Sequence, residues 1–451
     1  MTSEQTLHPE AQSRFNEIAR DLLQKVEPHE PTEQEKAFRP DLFPAAHLSG
    51  ANIKGIRHLG TTDRLSGEIT DQLFQVGDKT WILGDEGCGE LEELITRIQN
   101  QKALNSTVSR QTLRNLFIDW IEQCIAEGMK IEFLDFALPQ IWQSVTRQRI
   151  MVPIANLSVE TDLAIGDVTF TSITREFFDK WREQKRDPES DEQREIVQRW
   201  FDERRKRFQG LAAASVEVTA EPAFAVTAAY EAADRATRLL RLFTGESLEP
   251  LAVSYLKPFG SEDRRSFTAW RISANTAPAE HSETLRPHPI PFELSDELKA
   301  NLMELGLDAL CRLAAKATPT TFEQSVTEAL LLYSQSSVAE EVAEKLVLVF
   351  VALESLLLRD QNEGIQQNVG ERMAFILGSA SGERRSIAGL VKKAYRHRSE
   401  YIHHGHRPTE MEDIRRFFRY TWAFFVRVIK ISGDFSTKED FLDALEERKF
   451  A

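Results

Sequence analysis

Apolar residues recur along the chain with two different periods. Between 113 and 124 they fall at i, i+3, i+4, i+7, i+8 and i+11, which predicts an amphipathic helix. The stretch 73–83 alternates around Gly77-Asp78 and predicts a short β-hairpin. Further strands are predicted at 151–154, 167–173 and 214–219, and a helix that ends at Gly245 is predicted over 223–243.

From about residue 318 onward the pattern is helical only. The capping sequences Ser337-x-x-Glu340, Asn368-x-x-Glu371 and Thr409-x-x-Glu412 predict the starts of three helices. Another helix is expected near 321–334, and one more from about 386 to 404, with Gly405 at its end. These elements predict a bundle of four or five helices.

The order of these elements predicts an α+β protein that is mostly helical. A mixed α/β regulatory region precedes an all-α bundle, and a length of 451 residues favours two or three domains. We expect an N-terminal helical or mixed region at 1–148, an α+β middle region at 149–292, a helical domain at 318–435 and a tail at 436–451. The proline-rich segment 286–291 is expected to be a linker.

Composition excludes several classes of protein. The content of 41% hydrophobic and 28% charged residues is typical of a soluble globular protein. The longest apolar run, 346–353, is too short to cross a bilayer, and no signal-peptide pattern is present, so we expect a cytoplasmic protein without membrane association. The cysteines at 88, 124 and 311 lie far apart without CxxC spacing, which argues against a disulfide framework or a cysteine zinc site.

Charge is distributed unevenly along the chain. The net charge is −15, yet the segment 384–430 holds twelve Lys and Arg against four acids. A local basic surface of this kind is typical of proteins that bind phosphate groups, whereas the alternative is a set of ordinary solvated helix faces. The cations of this segment that we expect to contact phosphate groups, and therefore RNA if RNA is the ligand, are Lys392, Lys393, Arg396, Arg407, Arg415, Arg416 and Arg419.

The segment 395–406 concentrates the chemistry of the chain, since it contains four of the ten histidines. The helix before it has an apolar stripe at 387, 390, 391, 394 and 395, which continues to Arg398 and Ile402. Arg398 therefore occupies a position where the core pattern calls for an apolar residue. A buried arginine is costly, so it needs a carboxylate, a dimer partner or an anionic ligand.

His403 and His404 lie in the last turn before Gly405, and imidazole exchanges protons near neutral pH. Arg398 and His403 are five residues apart, which is about 140° around a helix. Either the last turn distorts, or the second component of the site comes from a neighbouring subunit. His397 is expected to lie at the surface, and His406 to add basic character.

These residues resemble the R-x4–6-H motif of HEPN domains, most closely that of the Apea-like HEPN group. Arg398-Ser399-x-x-Ile402-His403, preceded by Tyr395, is similar to the pattern Y-x-x-RS-x-x-V-H-G. Val351-Ala-Leu-Glu354 resembles the apolar helix of the family, and Glu371-Arg372-Met-Ala374 resembles its ER-x-A helix start. The likeness covers residues 318–435, about a quarter of the chain.

The extra histidine at 404 departs from the family pattern, which has glycine directly after the catalytic histidine. Whether His403 or His404 takes the catalytic role therefore stays open, and the spacing favours His403.

The resemblance implies an endoribonuclease that needs no metal and no other cofactor, acting in bacterial antiphage defence or as a toxin. HEPN ribonucleases dimerise, so a homodimer or higher homo-oligomer is implied, with RNA as the other partner. The ribose 2′-hydroxyl would attack the adjacent phosphate. The histidine would move protons at the attacking or leaving oxygen, and Arg398 would stabilise charge on the phosphoryl oxygens.

The resemblance also assigns supporting roles. Ser399 and Tyr395 would position the phosphate or the histidine. Glu354 would pair with Arg398 or with Arg372 across the helices.

Two other functions remain open. A non-catalytic HEPN dimer would bind RNA or a protein as a scaffold. A metal-dependent hydrolase using the histidines at 397, 403, 404 and 406 is less favoured, because no carboxylate or cysteine completes the ligand set.

Overall fold

The structure is a computed structural model that describes residues 7–30, 58–62, 69–76, 79–183, 191–260, 266–273, 276–284, 291–360 and 362–450. The hairpin turn at Gly77-Asp78 and residues 286–290 of the expected linker lie outside the described residues. The protein is mostly helical with some strands, so the α+β class is confirmed. Its contacts define two compact units, one of residues 1–148 and 217–228 and the other of residues 149–216 and 229–451.

The first unit combines helices with an antiparallel sheet of order β1-β4-β3-β2. Its elements are α1 (Pro9–Gln24), β1 (Glu27–His29), β2 (His58–Thr62), β3 (Ile69–Val76), β4 (Lys79–Leu83), α2 (Asp85–Gln99), α3 (Arg110–Glu127) and α4 (Phe133–Ser144). The predicted hairpin is confirmed, since Val76 pairs with Lys79. The predicted amphipathic helix is confirmed as α3.

The core of the first unit forms around aromatic residues of α3 and α4. Trp120 and Phe117 both pack within 5.6 Å of Phe133, measured between ring centroids. The Trp120 indole donates a hydrogen bond to the carbonyl of Ile131, so its buried N–H is satisfied. The apolar stripe of α3 therefore became a core face, as its period predicts.

The second unit begins with strands and the helices inserted between them. Its first elements are β5 (Thr146–Ala155), β6 (Leu157–Val159), β7 (Leu163–Ile165), β8 (Val168–Ser172), α5 (Arg175–Glu183), α6 (Asp191–Phe208), β9 (Ala212–Ala220), α7 (Pro222–Leu240), β10 (Lys257–Pro258), β11 (Ser266–Ser273), β12 (Thr276–Thr284) and β13 (Phe292–Leu294). The main sheet has the order β10-β5-β9-β8-β7, and β11-β12 and β13-β6 form two-stranded sheets.

The strands predicted at 151–154, 167–173 and 214–219 are confirmed as parts of β5, β8 and β9. The helix predicted over 223–243 ends earlier, because α7 stops at Leu240 and continues as a 3-10 turn over Arg241–Phe243. Gly245 starts a further 3-10 turn and is not the cap of α7, so that prediction is wrong.

The rest of the second unit is helical. Its helices are α8 (Asp296–Leu302), α9 (Asp308–Ala314), α10 (Thr321–Ser336), α11 (Val342–Leu357), α12 (Ile365–Leu377), α13 (Ser381–His404), α14 (Met411–Ile431) and α15 (Lys438–Phe450). Five of them lie within residues 318–435. The segment expected as a tail contains α15, and its Phe441, Leu442 and Leu445 are buried. The end of the chain therefore packs as part of the helical bundle.

The three predicted capping boxes do not cap their helices. Ser337 follows α10, where its hydroxyl donates to the carbonyl of Ser334, and α11 begins only after Glu341. Asn368 lies inside α12, whose N-cap is Gly364. The N-cap of α14 is Glu410, with no hydrogen bond from its side chain to the helix.

A capping box that the sequence reading overlooked starts α10. The Thr320 hydroxyl accepts from the Glu323 N–H at 3.2 Å, and the Glu323 carboxylate accepts from the Thr320 N–H at 2.8 Å. Both bonds satisfy N–H groups that a helix start leaves without partners.

Within the ranges given above, no helix is both long and apolar enough to cross a membrane.

Candidate functional site

The predicted site residues lie along the contact between α11 and α13. Ile387, Leu390, Val391 and Ala394 of α13 are buried, so the apolar stripe is confirmed up to that point. Tyr395 then packs edge-on against Phe350 of α11, with 5.3 Å between ring centroids. These contacts hold the second half of α13 against α11 and set the position of the residues that follow.

Arg398 is held in an incompletely paired state. Its side chain is 18% exposed, and its Nη2 lies 4.0 Å from Oε1 of Glu354. That distance makes an ion pair but exceeds a hydrogen bond. The Arg398 Nε is buried and has no hydrogen-bond partner among the described residues. The guanidinium carbon also lies 5.5 Å from the Tyr395 ring centroid, within cation–π range.

Glu354 is the predicted partner that the structure brings to Arg398. Burial raises the pKa of the Glu354 carboxyl, and the positive charge of Arg398 only partly opposes that effect. Its Oε1 is also buried, with no hydrogen-bond partner in the described part of the chain. One polar atom of each side chain, Nε of Arg398 and Oε1 of Glu354, has therefore lost water without gaining a direct hydrogen bond.

His403 and His404 lie at the exposed end of α13. The helix stays regular through His404 and ends at Gly405, whose left-handed φ of 67° suits glycine. The last turn does not distort, so Arg398 and His403 of one chain lie on different faces of α13. His404 lies between two other imidazoles, with ring centroids 6.3 Å from His403 and 5.7 Å from His406.

His397 is buried, which overturns the expectation that it lies at the surface. Only 5% of its side chain is exposed, and it lies 3.8 Å from carboxylate oxygens of both Glu400 and Glu410. The residue is three positions after Ala394, so helical spacing alone would have placed it on the buried face.

Ile402 departs from the prediction in the opposite direction. It was assigned to the buried stripe, yet it is 45% exposed. Val351 of α11 is 37% exposed. Ile402 lies one helical turn from Arg398, and Val351 lies one helical turn from Glu354. An exposed apolar surface therefore borders the candidate site.

Arg372 does not belong to this site. Its guanidinium is buried and makes hydrogen bonds to Glu363, including one of 2.8 Å, and one of 3.3 Å to Glu446. It also donates to the carbonyl of Leu357. This network ties together α11, α12, α15 and the loop before α12, so Arg372 holds the bundle and does not pair with Glu354.

Ser399, the remaining supporting residue, is half-buried on α13 and forms no side-chain hydrogen bond with any described residue. Its hydroxyl is uncommitted, and the structure assigns it no contact with Arg398.

Most cations of the predicted basic surface are paired with acids. Lys393 of α13 and Arg416 of α14 both approach Asp413 of α14. Three more cations face acids from a different loop or helix. These pairs are Arg396–Glu410 at 3.4 Å, Arg407–Glu341 at 3.1 Å and Arg415–Glu249 at 3.2 Å. Lys392 and Arg419 are exposed and have no ion pair in the described part of the chain. Asp413 and Glu410 belong to the segment and were already counted, so folding adds two acids to this surface, Glu341 and Glu249.

The described residues contain no group of three or more His, Cys, Asp or Glu side chains that could hold a metal ion. The histidines at 403, 404 and 406 form a row along the surface without a shared acidic ligand.

The chain matches no known protein-family model, and comparisons with curated proteins and with solved structures found no match.

Proposed function

We propose that this protein is a metal-independent endoribonuclease of the HEPN type, with Arg398 and His403 as its catalytic residues. The observation that carries the proposal is the state of Arg398. A largely buried guanidinium with an unpaired Nε and only a distant carboxylate is prepared to bind an anion. A phosphodiester would supply the hydrogen-bond acceptors that Glu354 does not supply.

The chemistry needs a proton acceptor, a proton donor and a site for negative charge. The ribose 2′-hydroxyl gives its proton to an imidazole, and its oxygen bonds to phosphorus. The bond from phosphorus to the 5′-oxygen then breaks, and that oxygen takes up a proton. Arg398 stabilises the charge that develops on the phosphoryl oxygens, and His403, or His404 beside it, transfers the protons.

One chain alone does not bring these groups together, because His403 is on the outer face of α13. A second copy that packs on the surface around Val351 and Ile402 would cover apolar area and bring its own His403 toward Arg398. The proposed active form is therefore a homodimer with composite sites.

The test is RNA cleavage by the purified full chain in EDTA, with tRNA and total RNA as substrates. Arg398→Ala and His403→Ala should each slow cleavage by roughly 100-fold or more. Arg385→Ala is the matched control, since Arg385 is an exposed arginine of the same helix without an ion pair among the described residues. Products should end in cyclic phosphates. Intact RNA under all conditions, or full activity in both variants, would contradict the proposal.

A specific observation favours a second function, that of a non-catalytic scaffold. Ion pairs occupy five of the seven predicted RNA-contacting cations, which weakens electrostatic attraction for a long RNA and favours a protein as the partner of the scaffold. A scaffold that binds a protein neither cleaves nor retains RNA, whereas a scaffold that binds RNA retains it without cleavage. Lys392→Glu with Arg419→Glu should then weaken binding, because those two cations are free to contact phosphate.

A further inference from the structure

A cavity of about 540 Å³ lies in the second unit beside the proposed catalytic residues. Its apolar wall comes from Val347 and Leu348 of α11 together with Val338. Tyr401 of α13 and Lys257 of β10 contribute to other parts of the lining. The cavity is therefore bounded by an aromatic ring, an apolar wall and a cation, a combination typical of small-molecule sites.

Several polar groups reach this cavity without a partner. Lys257, Gln335 and Glu344 line it, and none of their side chains forms a hydrogen bond or ion pair with another described residue. Lys257 and Glu344 share the cavity, yet they do not pair with one another. Gln335 and Glu344 are exposed and Lys257 is half-buried, so their donors and acceptors are free to contact a ligand in the cavity.

The cavity adjoins the helical turn of α13 that follows Arg398, because Tyr401 lines it. Tyr401 is three residues beyond Arg398, about 4.5 Å along the axis of α13. Leu348 of α11 lines the same cavity as Tyr401, so both helices contribute to it. A base attached to a nucleotide whose phosphate lies at Arg398 is within reach of the cavity.

We infer that this cavity binds one guanine base of the RNA and gives the nuclease a sequence preference, an inference that rests on the proposed function. The guanine edge presents N–H donors at N1 and N2, which one carboxylate can accept together, and Glu344 supplies that carboxylate. Its O6 and N7 are acceptors, which suit the Lys257 ammonium and the Gln335 amide. Tyr401 offers a ring for stacking. Adenine lacks the paired donors, so the site discriminates against it.

The experiment compares the binding of the four nucleoside 5′-monophosphates to the full chain by calorimetry. We expect GMP to bind more tightly than AMP, CMP or UMP. Glu344→Gln should lower GMP affinity roughly tenfold or more, the discrimination typical of a two-bond base contact. Tyr401→Ala should also weaken binding, whereas Tyr401→Phe keeps the ring and most of the affinity. Glu447→Gln, at an exposed glutamate outside the cavity, is the matched control.

The outcomes separate this inference from the proposed function. Equal affinity for the four nucleotides, or affinity that Glu344→Gln leaves unchanged, overturns the guanine site. Cleavage of a defined RNA with no preference at any dinucleotide step also overturns it, while the nuclease proposal stands. Binding of GMP that depends on Glu344, in a protein that cleaves no RNA, supports the guanine site and removes the nuclease.

Discussion

At the scale of single residues, the decisive feature is a pair of half-buried charges that do not form a hydrogen bond with one another. Arg398 and Glu354 each have a buried polar atom without a hydrogen bond among the described residues, and 4.0 Å separates their nearest atoms. A tighter pair would compensate both charges and leave little for a ligand. The gap therefore favours a role in binding over a role in stability.

The raised pKa of Glu354 leads to a prediction on stability. The folded state binds the proton of the Glu354 carboxyl more tightly than the unfolded state does. Protonation of Glu354 therefore stabilises the fold fully at low pH, and this contribution is lost as pH rises through the folded pKa. The side chain in Glu354→Gln is neutral at every pH. The free energy of unfolding of this variant, minus that of the wild type, should therefore be larger at pH 7 than at pH 4. Urea unfolding at the two pH values measures this difference.

Glu447→Gln serves as the control for that measurement, since Glu447 is exposed and has no ion pair in the described part of the chain. Its difference from the wild type should change little with pH. If Glu354→Gln instead loses stability relative to the wild type as pH rises, pairing with Arg398 outweighs the burial of the carboxylate.

Arg372 leads to the opposite prediction, because it is a buried cation with complete pairing. Arg372→Met removes the hydrogen bonds to Glu363, to Glu446 and to the Leu357 carbonyl, so it should lower the free energy of unfolding by about 1.5–3 kcal/mol. Thermal or urea unfolding measures the loss. Lys449→Met breaks an ion pair with Glu371 in which both partners are about one-third exposed or more, and it should cost less than about 1 kcal/mol. Similar losses in both variants would refute the assignment of Arg372 to the bundle.

At the scale of elements, the sequence predicted helices better than their ends. The stripes of α3 and α13 identified buried faces because a period of 3.6 residues is repeated over several turns. A capping box is only four residues long, and Ser337-x-x-Glu340 has the right letters. Yet Ser337 is already engaged at the end of α10, where its hydroxyl bonds to the carbonyl of Ser334. The four-residue sequence of a capping box does not show which backbone group its serine side chain will form a hydrogen bond with.

The difference between Thr320, which caps α10, and Thr409, which does not cap α14, is testable. Thr320→Ala removes the acceptor for the Glu323 N–H and should destabilise the protein by about 1 kcal/mol. Thr409→Ala removes a hydroxyl that forms no hydrogen bond among the described residues and should change stability by less than about 0.5 kcal/mol. Denaturant unfolding of both variants compares them. An equal loss of stability in both variants would mean that the capping box of α10 does not stabilise the protein.

The charge count along the chain failed for a related reason. Arg415 and Arg407 face Glu249 and Glu341, which are 166 and 66 residues away in sequence. A count within 384–430 cannot include acids that folding brings from outside that segment. The position of Arg398 was predictable from its own helix, whereas the cavity beside it draws on β10, α10, α11 and α13 and has no local signature.

At the scale of the whole molecule, the composite site predicts that two inactive variants restore each other. Arg398→Ala and His403→Ala, mixed and allowed to exchange subunits, form dimers in which one site has an intact arginine from one chain and an intact histidine from the other. Random pairing should then restore about a quarter of the wild-type activity per chain. Cleavage rates before and after mixing measure this recovery.

The control for that experiment mixes Arg398→Ala with the double variant Arg398→Ala, His403→Ala, which can rebuild no site. If the first mixture is no more active than the control, either each site needs both motifs intact or the residues do not act across an interface. A mass measurement of the mixture distinguishes a failure to exchange subunits from a failure of the site.

The division of the chain into two units has a consequence for its synthesis. Residues 217–228 belong to the first unit, and the Glu221 carboxylate there accepts hydrogen bonds from the Ser109 N–H and from the start of α7. The ribosome makes these residues only after the intervening stretch 149–216 of the second unit. The first unit therefore cannot finish folding before residue 228 has been made, well after its first 148 residues emerge. A fragment that ends at residue 148 lacks residues 217–228 and is therefore not the complete first unit.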